Sequence, residues 1–369
     1  MTKKILCIVG TRPEAIKMAP VIRAFQASSW ASTTVLSTGQ HRQILHQTLS
    51  DFGVSVDIDL QLMQENQSLA ALTGRIFTSL DPVIGELSPD LVLAQGDTTT
   101  VMVASILSFY RRIRFGHVEA GLRTFNLEHP FPEEFNRIVT GRIASVHFAP
   151  TEASRANLLR EGVSDSDIHV TGNTVIDALL ETAARSDATP ELPKRSKRIV
   201  LVTAHRRENF GLPIRSVCSA LRTLHDRFPD VSFVYPVHPN PNIKDVVHAE
   251  LAGLDRMVLL PPVGYTEMVA LLKAATVVLT DSGGLQEEAP ALGKPVLVLR
   301  DVTERPEAVE AGVVKIVGTD EATIISEASR LLTDPDYYAS VAKGVSPYGD
   351  GHASSRIVRI CEKLLHNQG

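Results

Sequence analysis

The feature that most constrains this chain is an alternation of two kinds of segment. "KILCIVG" precedes "EAIKMAPVIRAFQAS", "TTVLSTG" precedes "HRQILHQTLSDF", and "DLVLAQG" precedes "TTTVMVASILSFYRR"; "RIRFGHVEA" and "SVHFAPT" follow in the same half. Short β-rich apolar runs separated by segments of helical periodicity predict βαβ units and a parallel sheet. The pattern breaks at residues 187–197, "DATPELPKRSK", which are polar, proline-bearing and aperiodic, and so read as an exposed connection. It then restarts with "RIVLVTAHR", "VSFVYPVHP", "MVLLPPV", "ATVVLTDS", "KPVLVLR" and "VVKIVG".

At 369 residues the chain exceeds what one hydrophobic core usually organises, and an apolar fraction of 44% supplies two well-built cores. The expected fold class is therefore α/β, with two doubly wound domains. We assign residues 1–172 to an N-terminal domain and 173–351 to a C-terminal one. The last helix, within residues 352–369, contains "SSRIVRICEKLL" and follows the Gly- and Pro-bearing "GVSPYGDGH"; it is expected to leave the second domain and pack on the first.

Composition excludes several function classes. A formal net charge of −5 argues against a general nucleic-acid or membrane-surface binder, both of which rely on a basic excess, so anion binding must be local. Cys7, Cys218 and Cys361 stand far apart with no C-x-x-C spacing, suggesting neither a zinc site nor a disulfide framework and fitting a reducing cytosol. The apolar run near the start is shorter than a signal peptide's core, and no stretch approaches a membrane span.

In open parallel sheets ligands bind beyond the carboxyl ends of the strands, so the residues after each apolar run matter most. After the first come Gly10, for a tight turn, and Arg12, with Lys17 one turn on; the stretch is neither G-x-G-x-x-G nor a Walker A loop. Asp97 follows "DLVLAQG"; alone it could be a helix cap. Glu119 follows "RIRFGHV", and "PFPEEFNR" supplies Glu133 and Glu134. Several carboxylates at one domain's mouth repel one another unless cations or protonation relieve them. The second domain offers basic groups: His205 and Arg206 after its first strand, His238 after its second, and Arg305 further on. In "DSGGLQEEAP", Ser282, Gly283 and Gly284 open a helix whose unpaired N–H groups suit a diphosphate, while Glu288 one turn along suits ribose hydroxyls. Arg12, Lys17 and Arg305 would be the cationic company, which places a nucleotide between the domains.

"GTRPEAIKMAP", "GDTTT", "GHVEAGLRT", "PEEFNR", "AHRREN", "TGNTVIDAL", "DSGGLQEEAP", "LGKPVLV" and "TERPEAV", in this order, resemble the non-hydrolysing bacterial UDP-N-acetylglucosamine 2-epimerases from about residue 5 to the final helix. The resemblance implies two Rossmann-like domains facing across a cleft, the glycosyltransferase-B type, in a homodimer. It implies C2 epimerisation of UDP-GlcNAc to UDP-ManNAc for cell-surface polysaccharide, with no metal or nicotinamide cofactor. UDP would be eliminated to leave a 2-acetamidoglucal and then re-added. Arg12, Lys17, Asp97, Glu119, His205, Ser282, Gly283, Gly284, Glu288 and Arg305 would contact nucleotide or sugar. Asp97, Glu119, Glu133 and His205 would carry the chemistry, with the division between base and acid left open because clustered carboxylates titrate together. Gln40, Gln43, Arg206 and His238 resemble the lining of a second, activating UDP-GlcNAc site. Val263 and Met268 depart from the Gln and Phe that some relatives carry near the uracil.

The competing readings are a hydrolysing epimerase, a 2-epimerase of 2,3-diacetamido sugar nucleotides, a glycosyltransferase of the same architecture, and a non-enzymatic nucleotide-sugar sensor. A sensor has no need of three mouth carboxylates.

Overall fold

A computed structural model describes residues 2–39, 42–64, 67–185 and 197–366. Within them the chain forms two separate sheets, every strand pair parallel, as the alternation predicts. The chain divides into two compact units: Met1–Ala178 together with Tyr348–Gly369, and Leu179–Pro347.

The first unit carries β1 (Lys3–Val9), β2 (Ala31–Ser37), β3 (Ile58–Asp59), β4 (Leu91–Gln95), β5 (Arg114–Val118), β6 (Val146–Ala149) and β7 (Ile168–Val170), in the spatial order β3-β2-β1-β4-β5-β6-β7. The second carries β8 (Arg198–Thr203), β9 (Val231–Pro236), β10 (Met257–Leu260), β11 (Val277–Thr280), β12 (Val296–Val298) and β13 (Val314–Ile316), in the order β10-β9-β8-β11-β12-β13. In each sheet the chain winds outward one way from its first strand and then returns to wind the other way. This doubly wound order opens a crevice at the reversal, beside β1 and β4 in one unit and β8 and β11 in the other.

Central strands read as continuous apolar runs because helices cover both of their faces. Leu6, Ile8, Val92 and Phe115 lie in one buried cluster, and Val200, Val202, Phe233, Tyr235, Val277 and Leu279 in another. Each such side chain contributes on the order of 1.5–3 kcal/mol when fully removed from water. Two strands, β3 and β7, have no counterpart among the apolar runs. They sit at opposite edges of the first sheet and are two and three residues long, too short to carry a periodic signal.

The helix Ala353–His366 belongs to the first unit. Its start is capped by a distant residue: the buried Asp177 accepts from Ala353 N at 3.1 Å, Ser354 N at 2.7 Å and Ser354 Oγ at 2.6 Å. Ile357, Cys361 and Leu365, spaced four apart, form its buried stripe, and His366 meets the Trp30 ring edge-on at 5.7 Å. All three cysteines are buried thiols, and desolvation pushes Cys7 and Cys218 up to about 12. No described helix is long and apolar enough to cross a membrane.

Candidate functional site

In the first unit the loops after β1, β4 and β5 are tied together by side chains of the helix Arg12–Gln26. Thr11 caps this helix, and Glu14 completes a capping box: its Oε2 accepts from Gly10 N at 2.7 Å and Thr11 N at 2.5 Å. The other oxygen accepts from Thr98 Oγ1 at 2.6 Å, joining the β1 loop to the β4 loop. Gly10 is required here by close approach, not by a left-handed turn. A Cβ at this position would lie 2.8 Å from Thr100 Oγ1 and 2.9 Å from Thr38 Oγ1.

Glu119 follows β5 with φ 62°, a left-handed conformation unusual for a residue with a side chain and one that concentrates at functional sites. Its carboxylate is buried and receives Lys17 Nζ at 2.8 and 2.6 Å, the Gln95 amide, and Asn173 Nδ2 at 3.5 Å. Lys17 is thus the counter-ion of a carboxylate, the relief that clustered acids require. Asp97 is likewise neutralised: Arg137 reaches its Oδ2 with Nε at 2.9 Å and Nη2 at 2.7 Å. Asp97 does not cap the following helix; Thr98 does. Its backbone is pinned as well, with Asn136 Nδ2 donating to the Asp97 carbonyl at 2.8 Å and His117 Nε2 lying 2.7 Å from the carbonyl of Gly96.

The paired glutamates of "PEEFNR" divide. Glu134 is fully buried and accepts from Thr124 N at 3.0 Å, Phe125 N at 2.8 Å and Arg137 Nη1 at 3.0 Å, so it anchors the preceding loop and is not a mouth carboxylate. Glu133 opens the helix Glu133–Ile143, is half-buried, and makes no hydrogen bond or ion pair among the described residues. Arg12 is also half-buried and without such a partner.

In the second unit β11 ends at Thr280 and the helix Gly283–Ala291 opens behind Ser282, whose side chain makes no cap bond. The first-turn N–H groups of a helix lack intrahelical acceptors and face the positive end of the peptide dipoles, which suits an anion. Asp281, between strand and helix, has no exposed surface; its Oδ2 accepts from His205 N at 2.7 Å, Arg206 N at 2.8 Å and Asn209 Nδ2 at 2.8 Å. One carboxylate oxygen therefore shapes the turn after β8. His205 and His238, at the ends of neighbouring strands, stack with ring centroids 5.5 Å apart and planes 13° from parallel. Burial lowers the His205 pKa; Asp281 opposes this, while His238 and Arg206 add to it. The buried Glu288 accepts from Tyr265 Oη at 2.9 Å. Arg305 pairs with buried Glu287, while Thr303 Oγ1 donates to Gln286. Gln40 lies outside the described residues; Gln43 belongs to the helix Arg42–Asp51, but its side chain lies outside them too, as does the connection at 187–196.

Sequence reasoning missed Asp281, Arg137, Gln95, Asn173, Tyr265 and Glu287. Asp281 carried the same signal as Asp97, an acid directly after an apolar run. Arg137 stands three residues after Glu134, the spacing of a helical ion pair.

His117 and its sheet neighbour His147 give the first unit a pH dependence. Burial is the main cause that lowers them, to about 3 and about 4. Both are neutral in the fold, whereas an unfolded histidine titrates near 6.5. The unfolded chain then binds more protons below that value, so stability is fully present above about pH 6.5 and falls as pH falls toward the folded pKa values. The expected slope is up to about 1.4 kcal/mol per pH unit for each histidine. Urea unfolding of wild type and His117→Gln at pH 7 and pH 5 checks it: the variant should lose roughly one histidine's share of the slope, and equal slopes would contradict it.

Two doubly wound parallel units, with acids beyond the strand ends of one and an open helix start beyond β11 in the other, define a two-unit α/β protein. Residues 23–362 match the family model described as UDP-N-acetylglucosamine 2-epimerase. The chain is 49% identical to the UDP-N-acetylglucosamine 2-epimerase of Escherichia coli (strain K12), covering 99% of each chain. It is also 49% identical to that of Yersinia pestis, over 96% of this chain and 97% of that one. The crystal structure of UDP-GlcNAc 2-epimerase from Neisseria meningitidis bound to UDP-GlcNAc superposes with a TM-score of 0.88 at 46% identity, over 98% of this chain and 100% of that one. The chain belongs to the UDP-N-acetylglucosamine 2-epimerase family.

Proposed function

We propose that the protein interconverts UDP-GlcNAc and UDP-ManNAc at C2 of the sugar. The hydrogen on C2 has no neighbouring carbonyl and is barely acidic, so direct deprotonation is disfavoured. Breaking the C1–O bond first solves this. The bonding pair leaves with the β-phosphate oxygen, C1 gains oxocarbenium character, and a carboxylate takes the proton now activated at C2. This leaves 2-acetamidoglucal and UDP. Re-addition of the phosphate oxygen to C1, with proton delivery to the opposite face of C2, completes the inversion.

The departing diphosphate is stabilised by the first turn of the helix Gly283–Ala291, with Ser282, Gly283 and Gly284, and by Arg12, Lys17 and Arg305. Lys17 and Arg305 are each already paired with a carboxylate, so a phosphate shares them with Glu119 and Glu287. Asp97, Glu119 and Glu133 supply base, acid and stabiliser of positive charge, with His205 beside the phosphates. Glu288 accepts from the ribose. The same reading includes a homodimer working in the cytosol and a second UDP-GlcNAc site with Gln40, Gln43, Arg206 and His238.

The observation that supports this reading is 49% identity to the Escherichia coli epimerase over 99% of both chains. Incubation with UDP-GlcNAc in D2O, followed by NMR, tests it. Deuterium entering C2 as UDP-ManNAc appears is the expected result; free ManNAc alone would mean hydrolysis, and no product would mean a transferase or a sensor.

Tyr265→Phe probes the ribose contact. Burial, reinforced by Glu288, raises the Tyr265 phenol well above its usual range, so it stays a donor at neutral pH and orients the carboxylate. Losing a hydrogen bond to a charged group costs about 1.5–3 kcal/mol. The Kd for UDP, measured by calorimetry, should rise roughly tenfold or more with kcat little changed; an unaltered Kd would detach Glu288 from the ribose.

A further inference from the structure

We propose that Asp281 is a positioning residue that fixes the tautomer of His205, holding the ring with its proton on Nδ1 and presenting Nε2 as the free nitrogen. This inference rests on the reading of His205 as a residue at the diphosphate. Its physical basis is the unequal use of the two oxygens of Asp281. Oδ2 is saturated by His205 N, Arg206 N and Asn209 Nδ2. Oδ1 is equally buried but has no hydrogen-bond partner among the described residues. A carboxylate oxygen without a donor in the interior is costly, and such atoms are rarely left unmet. His205 Nδ1 stands 3.3 Å from it, while the other nitrogen makes no hydrogen bond among the described residues.

An Nδ1–H donated to Oδ1 satisfies the buried oxygen, locks the ring against the end of β11, and leaves Nε2 with a lone pair. The groups that face this ring are Asp281, His238 stacked on it, and Arg206 beside it. Burial favours the neutral ring against the opposing pull of Asp281, with His238 and Arg206 adding to burial, and a neutral imidazole is where tautomer matters. Asp281 directly precedes Ser282, so the residue that holds the histidine also stands beside the helix start. In neutral form His205 can accept a hydrogen bond at Nε2 from a donor group of the nucleotide sugar held beside the diphosphate.

Asp281→Asn separates the two jobs. The side-chain oxygen of asparagine can keep the three donors now on Oδ2, while its NH2 faces Nδ1 and forces the imidazole to carry its proton on Nε2 instead. Long-range ¹H–¹⁵N spectra at pH 7.5, with the His205 signal assigned by its loss in His205→Asn, read the tautomer directly. The wild type should show Nδ1–H, a result that does not depend on Asp281→Asn folding. The variant should show Nε2–H, with kcat down roughly 10²–10⁴-fold and the Kd for UDP within about threefold of wild type. An Nε2–H tautomer in the wild type would overturn the proposal. So would an unchanged tautomer and kcat in the variant, or a loss of UDP affinity as large as the loss of kcat. Absence of epimerase activity in the wild type would count against the function itself, while the tautomer measurement would still decide the role of Asp281.

Discussion

Asp97→Asn and Glu119→Gln should each lower epimerase turnover by roughly 10²–10⁴-fold, the usual worth of a positioned acid or base, while UDP binds with little change. Both changes keep the shape of the side chain and remove only its charge and proton affinity. Asp97 sits on a turn whose carbonyls are held independently by His117 and Asn136, so the loop should survive the loss of its ion pair with Arg137. Arg137 retains Glu134. Glu119 keeps Gln95 and Asn173 as neighbours. Steady-state turnover and calorimetric UDP titration on the same preparations check the expectation. Loss of UDP affinity in step with turnover would make these acids structural, and near-normal turnover would remove them from the chemistry.

The second large effect falls on stability. Lys17→Met should destabilise the ligand-free protein by about 3–5 kcal/mol, because it leaves the carboxylate of Glu119, 4% exposed, without its cation. Adding Glu119→Gln to the same chain should recover most of that loss, since a neutral amide in the same place needs no counter-charge. The double-mutant cycle isolates the pair. Urea unfolding of the four proteins, read on the transition of the first unit, measures it. If Lys17 served only an incoming phosphate, the single substitution would leave the ligand-free protein as stable as before.

The fold was legible because its signal is redundant. Eleven apolar runs marked eleven strands, and the parallel sheets followed from the helices between them. The edge strands Ile58–Asp59 and Ile168–Val170 escaped because two or three half-covered residues carry no period. At the candidate site the sequence marks residue types that follow apolar runs, and Asp97, Glu119 and Ser282 do stand just beyond β4, β5 and β11. What could not be read was partnership. Glu133 and Glu134 are identical in type and adjacent, yet one opens a helix with no partner among the described residues and the other is buried under three donors. Lys17 looks in sequence like a phosphate ligand, but its ammonium lies on a glutamate 102 residues away. Asp281 was passed over for the glycines that follow it, because the backbone groups it holds lie 75 and 76 residues upstream. Such pairings depend on tertiary neighbours, which local sequence does not encode.

The central claim is that the diphosphate of the nucleotide is held at the opening of the helix Gly283–Ala291. A crystal structure with UDP tests it most directly. The account predicts β-phosphate oxygens about 3 Å from the backbone nitrogens of Gly283 and Gly284, with the ribose hydroxyls on Glu288. UDP bound with its phosphates away from that helix start would contradict it.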